Sequence, residues 1–274
     1  MSENKRNWTN IAIGAFIILA IVLLIALILP FSNLAVANDE IAVININGAI
    51  TYSESNTTAV YMTAREIENC INDAESDKNI KAIVLDINSY GGSLVASEEI
   101  SNMIKNSSKP VVSYIGDKGM DEAYLIASSA DYTVASPSSS VGGIGLSYKN
   151  STKYSKDNLS AHFNKKYLNS NQTNKSSISA QAMIDQDYTY LIGKIAKNRD
   201  MKAKELAELA NGTKYNGNEA KNLGLIDKIG NKNQAIKIAA SKSNATNYTV
   251  VNYPKSEKSL TESLYETNIF NLFK

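Results

Sequence analysis

Two glycine-rich segments carry the residues whose types and spacing could perform chemistry. Residues 88–93 contain the pair Gly91 and Gly92, and residues 138–145 contain Gly142. Glycine at the end of a strand lets backbone N–H groups turn toward a ligand, because no Cβ atom lies in the way. Two such turns in one α/β domain are a common source of an oxyanion hole, in which amides stabilise a developing negative charge. The structural alternative is that both segments are simple tight turns.

The elements that must position these segments alternate along the chain. Each glycine-rich segment follows an apolar run that is typical of a buried strand in a parallel sheet. The sequence predicts strands over residues 41–46, 78–87, 111–115, 132–135 and 248–253, and helices over residues 59–74, 94–105, 122–129, 179–198, 201–211, 218–223 and 234–240. This order implies parallel strands joined by right-handed crossovers. Residues 149–177 are polar and rich in Lys, Asn and Ser, which favours a loop.

Composition excludes several other classes of function. The net charge is +1, so the chain has no basic field for nucleic acid. The single cysteine, Cys70, falls on an amphipathic helix and is interpreted as a packed thiol. The single histidine, His162, rules out a histidine-rich metal site and leaves a Ser-His-Asp triad dependent on one residue in a polar segment. No cofactor is predicted.

The beginning of the chain predicts a membrane anchor. Residues 11–29 are apolar and uncharged, and Pro30 follows them. This length is enough for a helix to span a bilayer. Lys5 and Arg6 precede the span, which places the N-terminus in the cytoplasm and the main domain outside the cell membrane. The alternative is a signal peptide that is cleaved after Ala37.

The chain therefore divides into five predicted parts. These are a cytoplasmic segment (1–10), a single transmembrane anchor (11–30), a linker (31–40), the main domain (41–240), and a C-terminal strand with an amphipathic tail (241–274). We expect the tail to dock on the domain itself or on a neighbouring subunit.

The main domain resembles the short form of the signal peptide peptidase A family. The resemblance rests on motifs in residues 41–50, 84–93, 123–131, 136–146 and 210–230, of which the last is the most specific. It implies an α/β fold of the ClpP/crotonase type and a serine endopeptidase that degrades signal peptides with a Ser/Lys dyad. In such a dyad, burial must lower the pKa of the lysine before it can act as a base. It further implies hydrophobic peptides as ligands and a homo-oligomeric ring, or a ring with an active paralogue.

The dyad positions depart from the family pattern. The family writes Gly-Ser-Ile-Gly where this chain has residues 142–145, so the nucleophile position falls on Gly143. The base position falls on Leu168 or Asn169. The family's Ser-Gly-Gly-Tyr stands here as residues 121–124, Asp-Glu-Ala-Tyr. The resemblance assigns Gly91, Gly92 and Gly142 to oxyanion or substrate binding.

Three functions remain open from the sequence. The first is an inactive family member that binds peptides or assembles into a ring. The second is an active serine peptidase with a shifted dyad of Ser140, or its neighbour Ser139, and Lys165 or Lys166; a shift of several ångströms disfavours it, because catalysis tolerates only small misplacements. The third, an acyl-CoA enzyme on the related crotonase fold, is disfavoured because the sequence shows no obvious acid/base carboxylates near the glycine pairs.

Overall fold

The computed structural model of the chain describes residues 39–52, 61–149, 158–161 and 175–254. The strands within these ranges are β1 (Asp39–Thr51), β2 (Tyr61–Thr63), β3 (Ile80–Gly92), β4 (Val111–Met120), β5 (Tyr132–Ala135), β6 (Ser140–Gly142), β7 (Leu146–Lys149), β8 (Asn158–Ala161), β9 (Lys214–Tyr215), β10 (Lys228–Ile229) and β11 (Tyr248–Tyr253). The helices are α1 (Ala64–Ser76), α2 (Leu94–Lys105), α3 (Glu122–Ser128), α4 (Lys175–Asn198), α5 (Ala203–Leu209), α6 (Gly217–Asn222) and α7 (Lys232–Lys242).

The main sheet has the strand order β10-β5-β4-β3-β1-β11. Every neighbouring pair along this path is parallel, and β2 adds to β1 while β6 adds to β4, also in parallel. Among the described strands of this sheet, β9 is the exception, because it runs antiparallel to β6. The mixed α/β fold with a parallel sheet that the alternation of elements predicts is therefore confirmed.

Two apolar clusters cover the two faces of this sheet, because successive strand residues point to opposite sides. On β3, Ile83, Leu85 and Ile87 face the larger cluster, which the first four helices complete. Ala82 and Val84 face a smaller cluster that is closed by α7. The central strands are thus buried on both faces, which explains why they read as continuous apolar runs.

Two predicted boundaries at the carboxyl edge of the sheet were wrong in an informative way. β3 does not end before the glycine pair: Gly91 and Gly92 are its last residues and pair with Ala49 and Ile50 of β1. The ladder continues because β1 itself extends to Thr51. The helix predicted from residue 59 begins at Ala64, because the three residues before it form β2 against β1, and the side chain of Thr63 caps the helix.

The predicted loop over residues 149–177 is also partly wrong. Within it, β8 pairs antiparallel with β7, and α4 already begins at Lys175. A short hairpin of this kind carries little apolar signal, so composition alone favours a loop. The remaining residues of that segment lie outside the described part of the chain.

The predicted anchor (11–30), most of the linker, and the tail beyond residue 254 lie outside the described residues. Among the helices that the structure does describe, none has the length and apolar character required to cross a bilayer. Cys70 is 3% exposed on α1, and burial raises the pKa of its thiol to about 11, which agrees with a packed, unreactive cysteine.

Candidate active site

The two glycine-rich segments meet at the carboxyl edge of the sheet, on either side of the end of β4. Ser89 of β3 lies opposite Gly119, and Gly142 of β6 lies opposite Met120. The amide of Asp121 donates to the carbonyl of Gly142 at 2.8 Å, which fixes β6 against the turn that follows β4. The carboxyl ends of parallel strands are where ligands bind in open α/β sheets.

A strained turn joins β4 to α3 at this edge. Asp121 has φ 49° and ψ −123°, a conformation that L residues rarely adopt and that costs of order 1–3 kcal/mol. A sharp, strained strand-to-helix turn is the device by which α/β hydrolases display a nucleophile above the sheet. Here the displayed side chain is a carboxylate, and a second carboxylate, Glu122, follows directly.

Each glycine-rich segment gives one backbone amide to this pair of acids. The amide of Gly92 donates to Oε2 of Glu122 at 3.0 Å, and the amide of Gly145 donates to Oδ1 of Asp121 at 3.0 Å. Glu122 is only 8% exposed. Both segments thus supply amide donors, as predicted for an oxyanion hole, but the acceptors are carboxylates of the chain itself.

The environment of the pair favours the protonated acids. Burial, and after it the charge of Glu122, raises the pKa of Asp121 to about 7, against the opposing effects of the Gly145 amide and of Lys214. Burial also raises the pKa of Glu122, against the hydrogen bond from Gly92. Two adjacent buried carboxyl groups resist double ionisation, so they titrate as a coupled pair.

A cationic and aromatic rim stands beside the acids. Tyr90, which precedes the glycine pair, is 60% exposed. The ammonium of Lys118 lies 4.4 Å from the centre of its ring, and that of Lys214 lies 6.0 Å away, both within the range of a cation–π interaction. The rim places positive charge at the mouth of a site whose interior is acidic.

Gly143, the predicted nucleophile position, lies next to β6 but is crowded. Its φ is +57°, and a Cβ atom there would lie 2.7 Å from Cε of Met120. Its amide donates to the carbonyl of Thr213 at 2.9 Å, so this amide is already used within the fold. Gly143 therefore offers neither a side chain nor an unoccupied amide.

The serines proposed as substitutes lie at the start of β6 and directly before it. Ser140 is half-buried and lies opposite Lys118, two residues before Gly142, which corresponds to roughly 6–7 Å along the strand. The hydroxyl of Ser139 is buried and donates to the carbonyls of Ile115, at 2.9 Å, and Gly116. The proposed bases Lys165 and Lys166, the family base position Asn169, and His162 all lie outside the described residues.

Asp121 and Glu122 were not among the predicted site residues. The sequence signal for them was their place in residues 121–124, where the family pattern has Ser-Gly-Gly-Tyr. The expectation that no acid/base carboxylates lie near the glycine pairs, which disfavoured an acyl-CoA enzyme, is wrong, because Glu122 bonds to Gly92. In the described part of the chain, no three His, Cys, Asp or Glu side chains are grouped as a metal site would require.

Comparison with known proteins shows the family of this chain. The sequence model of Peptidase family S49 matches residues 103–246, more than half of the chain. A Methanocaldococcus jannaschii protein named as a protease is 30% identical over 71% of this chain and 66% of its own length. Protease 4 of Salmonella typhi is 33% identical over 73% of this chain, and the match spans only 34% of that longer protein. A protein of Enterococcus faecium named for signal peptide peptidase SppA is 27% identical over 79% of this chain and 67% of its own.

Solved structures with the same fold include two of the 1510-N membrane-bound stomatin-specific protease. A serine-to-alanine mutant superposes with a TM-score of 0.58 at 19% identity, covering 80% of this chain and 99% of the other. A lysine-to-alanine mutant in complex with a substrate peptide also superposes with a TM-score of 0.58, at 18% identity, covering 85% of this chain and 99% of the other.

Proposed function

This chain belongs to peptidase family S49, and we propose that within the family it is a catalytically silent, membrane-anchored subunit that binds hydrophobic peptides. The ligands are signal-peptide remnants or similar apolar segments near the outer surface of the cell membrane. The subunit assembles into a ring, either with copies of itself or with an active paralogue. Serine peptidase activity is what the family implies, so the inactivity of this member is inferred from its own candidate site.

The observation that carries the proposal is the occupation of the amide donors by carboxylates. A serine peptidase must leave its oxyanion-hole amides open, because they bind the negative oxygen of the tetrahedral intermediate. Here the amides of Gly92 and Gly145 already bond to Glu122 and Asp121. Either acid, when ionised, would also repel a developing oxyanion.

The hydroxyl groups near the site add a second argument. The predicted nucleophile position is a glycine, and the hydroxyl of Ser139 is bonded to backbone carbonyls. The side chain displayed at the strained turn is Asp121 rather than a serine or cysteine. Losing the nucleophile of a catalytic dyad or triad removes most of the rate enhancement, since its members act as a unit.

Peptide binding is inferred from the family and from the surface around the site. A peptide occupies a neighbour of the same fold. In this chain two large apolar side chains that flank the glycine pair in sequence are exposed, Tyr90 at 60% and Val95 at 57%. Exposed apolar side chains beside the candidate site are suited to contact with a hydrophobic peptide.

A fluorophosphonate probe tests the silent assignment. The full chain in detergent should remain unlabelled under conditions in which an active family S49 protease is labelled to completion. Stoichiometric labelling that is lost on Ser140→Ala would instead establish the alternative, an active peptidase with a shifted dyad. The same preparation should bind a fluorescent hydrophobic peptide in an anisotropy titration, and a failure to bind would contradict the peptide-binding role.

Restoration of the dyad distinguishes the two candidate nucleophile positions. Gly143→Ser with Asn169→Lys tests the position that the family pattern assigns. Asp121→Ser with the same Asn169→Lys tests the strained turn that the geometry favours. We expect neither pair to produce peptidase activity while Glu122 remains, because the Gly92 amide stays occupied.

A further inference from the structure

The hydrogen bond between Glu122 and Gly92 joins two elements that are distant in sequence. The carboxylate reaches from the first turn of α3 to the last residue of β3, thirty positions away. We propose, resting on the function proposed above, that Glu122 blocks the site to anions: its carboxylate occupies the Gly92 amide, which would otherwise bind an anionic oxygen. This proposal concerns the amide alone and does not require a bound peptide.

The amide is fixed in place, so that it cannot turn away from an incoming group. Gly92 is in register with Ile50 of β1, and a Cβ atom on Gly92 would overlap the carbonyl of Ile50. The next amide, that of Ser93, donates to the same carbonyl at 2.9 Å. If Glu122 were removed, the Gly92 amide would keep its orientation and lose its acceptor. Gly92 is itself exposed, so a carboxylate or oxyanion from solution can reach the freed amide and replace the water there.

The charged groups around the amide decide which ligands it excludes. Asp121 stands next to Glu122 and adds a second acidic group. Lys214 from β9 and Lys118 from β4 flank the ring of Tyr90 at the rim, and Lys214 is close enough to oppose the raised pKa of Asp121. Near neutral pH the acids oppose entry of an anion and the rim lysines only partly offset them. Acidification weakens the exclusion, because it protonates the acids.

Glycine labelling gives a direct readout of this amide. The chain has 14 glycines, so selective ¹⁵N-glycine labelling of the full chain in detergent yields few enough signals to assign Gly92. Acetate is the probe, at constant ionic strength adjusted with chloride. In the wild type we expect no saturable shift of the Gly92 signal at pH 7.5. In Glu122→Ala we expect a saturable shift, with at least tenfold tighter apparent binding of acetate than in the wild type.

Two further variants separate the contact from a general structural effect. Glu122→Gln keeps an oxygen acceptor of the same reach, so the Gly92 signal should not respond to acetate, and it should lose the part of its pH dependence that comes from Glu122, leaving that of Asp121. Glu208→Ala removes an exposed acid on α5 and should behave as the wild type does.

Three results would overturn the proposal. One is a wild-type Gly92 signal that shifts with acetate as strongly as in Glu122→Ala. Another is a folded Glu122→Ala that does not respond to acetate. The third needs no alanine variant: identical pH titrations of the Gly92 signal in the wild type and in Glu122→Gln would show that the carboxylate is not bonded there.

Discussion

Two partly buried clusters of charged side chains in the described part of the chain are built in opposite ways. In the first, the guanidinium of Arg199 donates to both oxygens of Asp227, at 3.0 and 2.9 Å, and to the carbonyl of Gly224. The same aspartate accepts the amide of Thr133 at 2.6 Å. In the second, the acids Asp121 and Glu122 stand side by side. Each accepts a hydrogen bond from one backbone amide, that of Gly145 for Asp121 and that of Gly92 for Glu122.

The first cluster stabilises the folded state, whereas the second destabilises it when its acids ionise. Arg199, with Thr133, lowers the pKa of Asp227, so ionisation of this carboxylate stabilises the folded state. The pKa of Asp121 is raised, so ionisation of this acid destabilises it. A partly buried pair of opposite charges fastens the end of α4 to the start of β10, whereas two adjacent acids persist at the carboxyl edge of the sheet. Raised pKa values of this kind are enriched at functional sites.

The largest expected effect follows from breaking the opposite-charge cluster. Arg199→Ala leaves Asp227 partly buried without its partner, and we expect the free energy of unfolding to fall by about 3 kcal/mol at pH 7.5. Urea unfolding followed by circular dichroism measures it. The matched control is Lys202→Gln, which breaks the exposed Lys202–Glu205 pair and should change stability by less than about 0.5 kcal/mol. Equal effects of the two variants would remove the distinction drawn above.

A smaller effect, opposite in sign, is expected at the like-charge cluster. Between about pH 4 and the folded pKa of about 7, the unfolded state has released the Asp121 proton while the folded state retains it. Stability attributable to this group therefore decreases as the pH rises through that range and stays constant above it. Asp121→Asn should remove this dependence and stabilise the protein at pH 8 by roughly 2 kcal/mol.

Asp121→Gly adds a test of the strained turn. Glycine removes the charge and also tolerates the positive φ, so it should gain about 1 kcal/mol more than the asparagine variant. Thermal unfolding at pH 5 and pH 8 measures the effect of the charge and the effect of the positive φ on stability. Glu208→Gln is the control for an exposed acid. A wild-type pH dependence in Asp121→Asn would mean that another group titrates in this range.

The third prediction compares two glycines, one inside the site and one outside. Gly143→Ala places a Cβ atom against Met120 at a positive φ and should destabilise the protein by about 1–2 kcal/mol. Gly193→Ala lies in the exposed interior of α4 with open space around it, and should stabilise by about 0.5–1 kcal/mol. Differential scanning calorimetry of both variants measures the contrast. A neutral Gly143→Ala would show that the crowding at this position is relieved without cost.

Most of the fold was predicted from the sequence, because the central strands have a distinctive apolar pattern. Apolar runs that are buried on both faces, such as that of β3, identify a parallel sheet without further information. The bounds of α2 were also predicted correctly, since Ser93 caps its first turn. The hairpin of β7 and β8 was missed because four-residue strands with polar sequences have no distinctive period.

The site was predicted only in part. The convergence of the two glycine-rich segments follows from strand order, and the supply of amides follows from the glycines. What the sequence could not give was the reach of the Glu122 side chain to Gly92, because that contact depends on how α3 is placed after the strained turn. The acids were seen as departures from a family pattern, and their burial is visible only in three dimensions. The candidate dyad of Ser140 with Lys165 or Lys166 stays a prediction, since its bases lie outside the described residues.

The smallest expected effect concerns the rim above the like-charge cluster. The charge of Lys214 opposes the raised pKa of Asp121, and Lys118 lies closer than Lys214 to the ring of Tyr90. Lys214→Gln should therefore raise the pKa of Asp121 further, by roughly a few tenths, because a partly screened charge at the protein surface acts weakly. Lys118→Gln should leave it unchanged. Carbonyl ¹³C NMR titration of Asp121 measures both, and the difference should shrink in high salt, since added ions screen the interaction. Equal changes in the pKa of Asp121 in the two variants would contradict this prediction. They would mean that both lysines influence Asp121 to the same extent, and that Lys214 has no special effect on it.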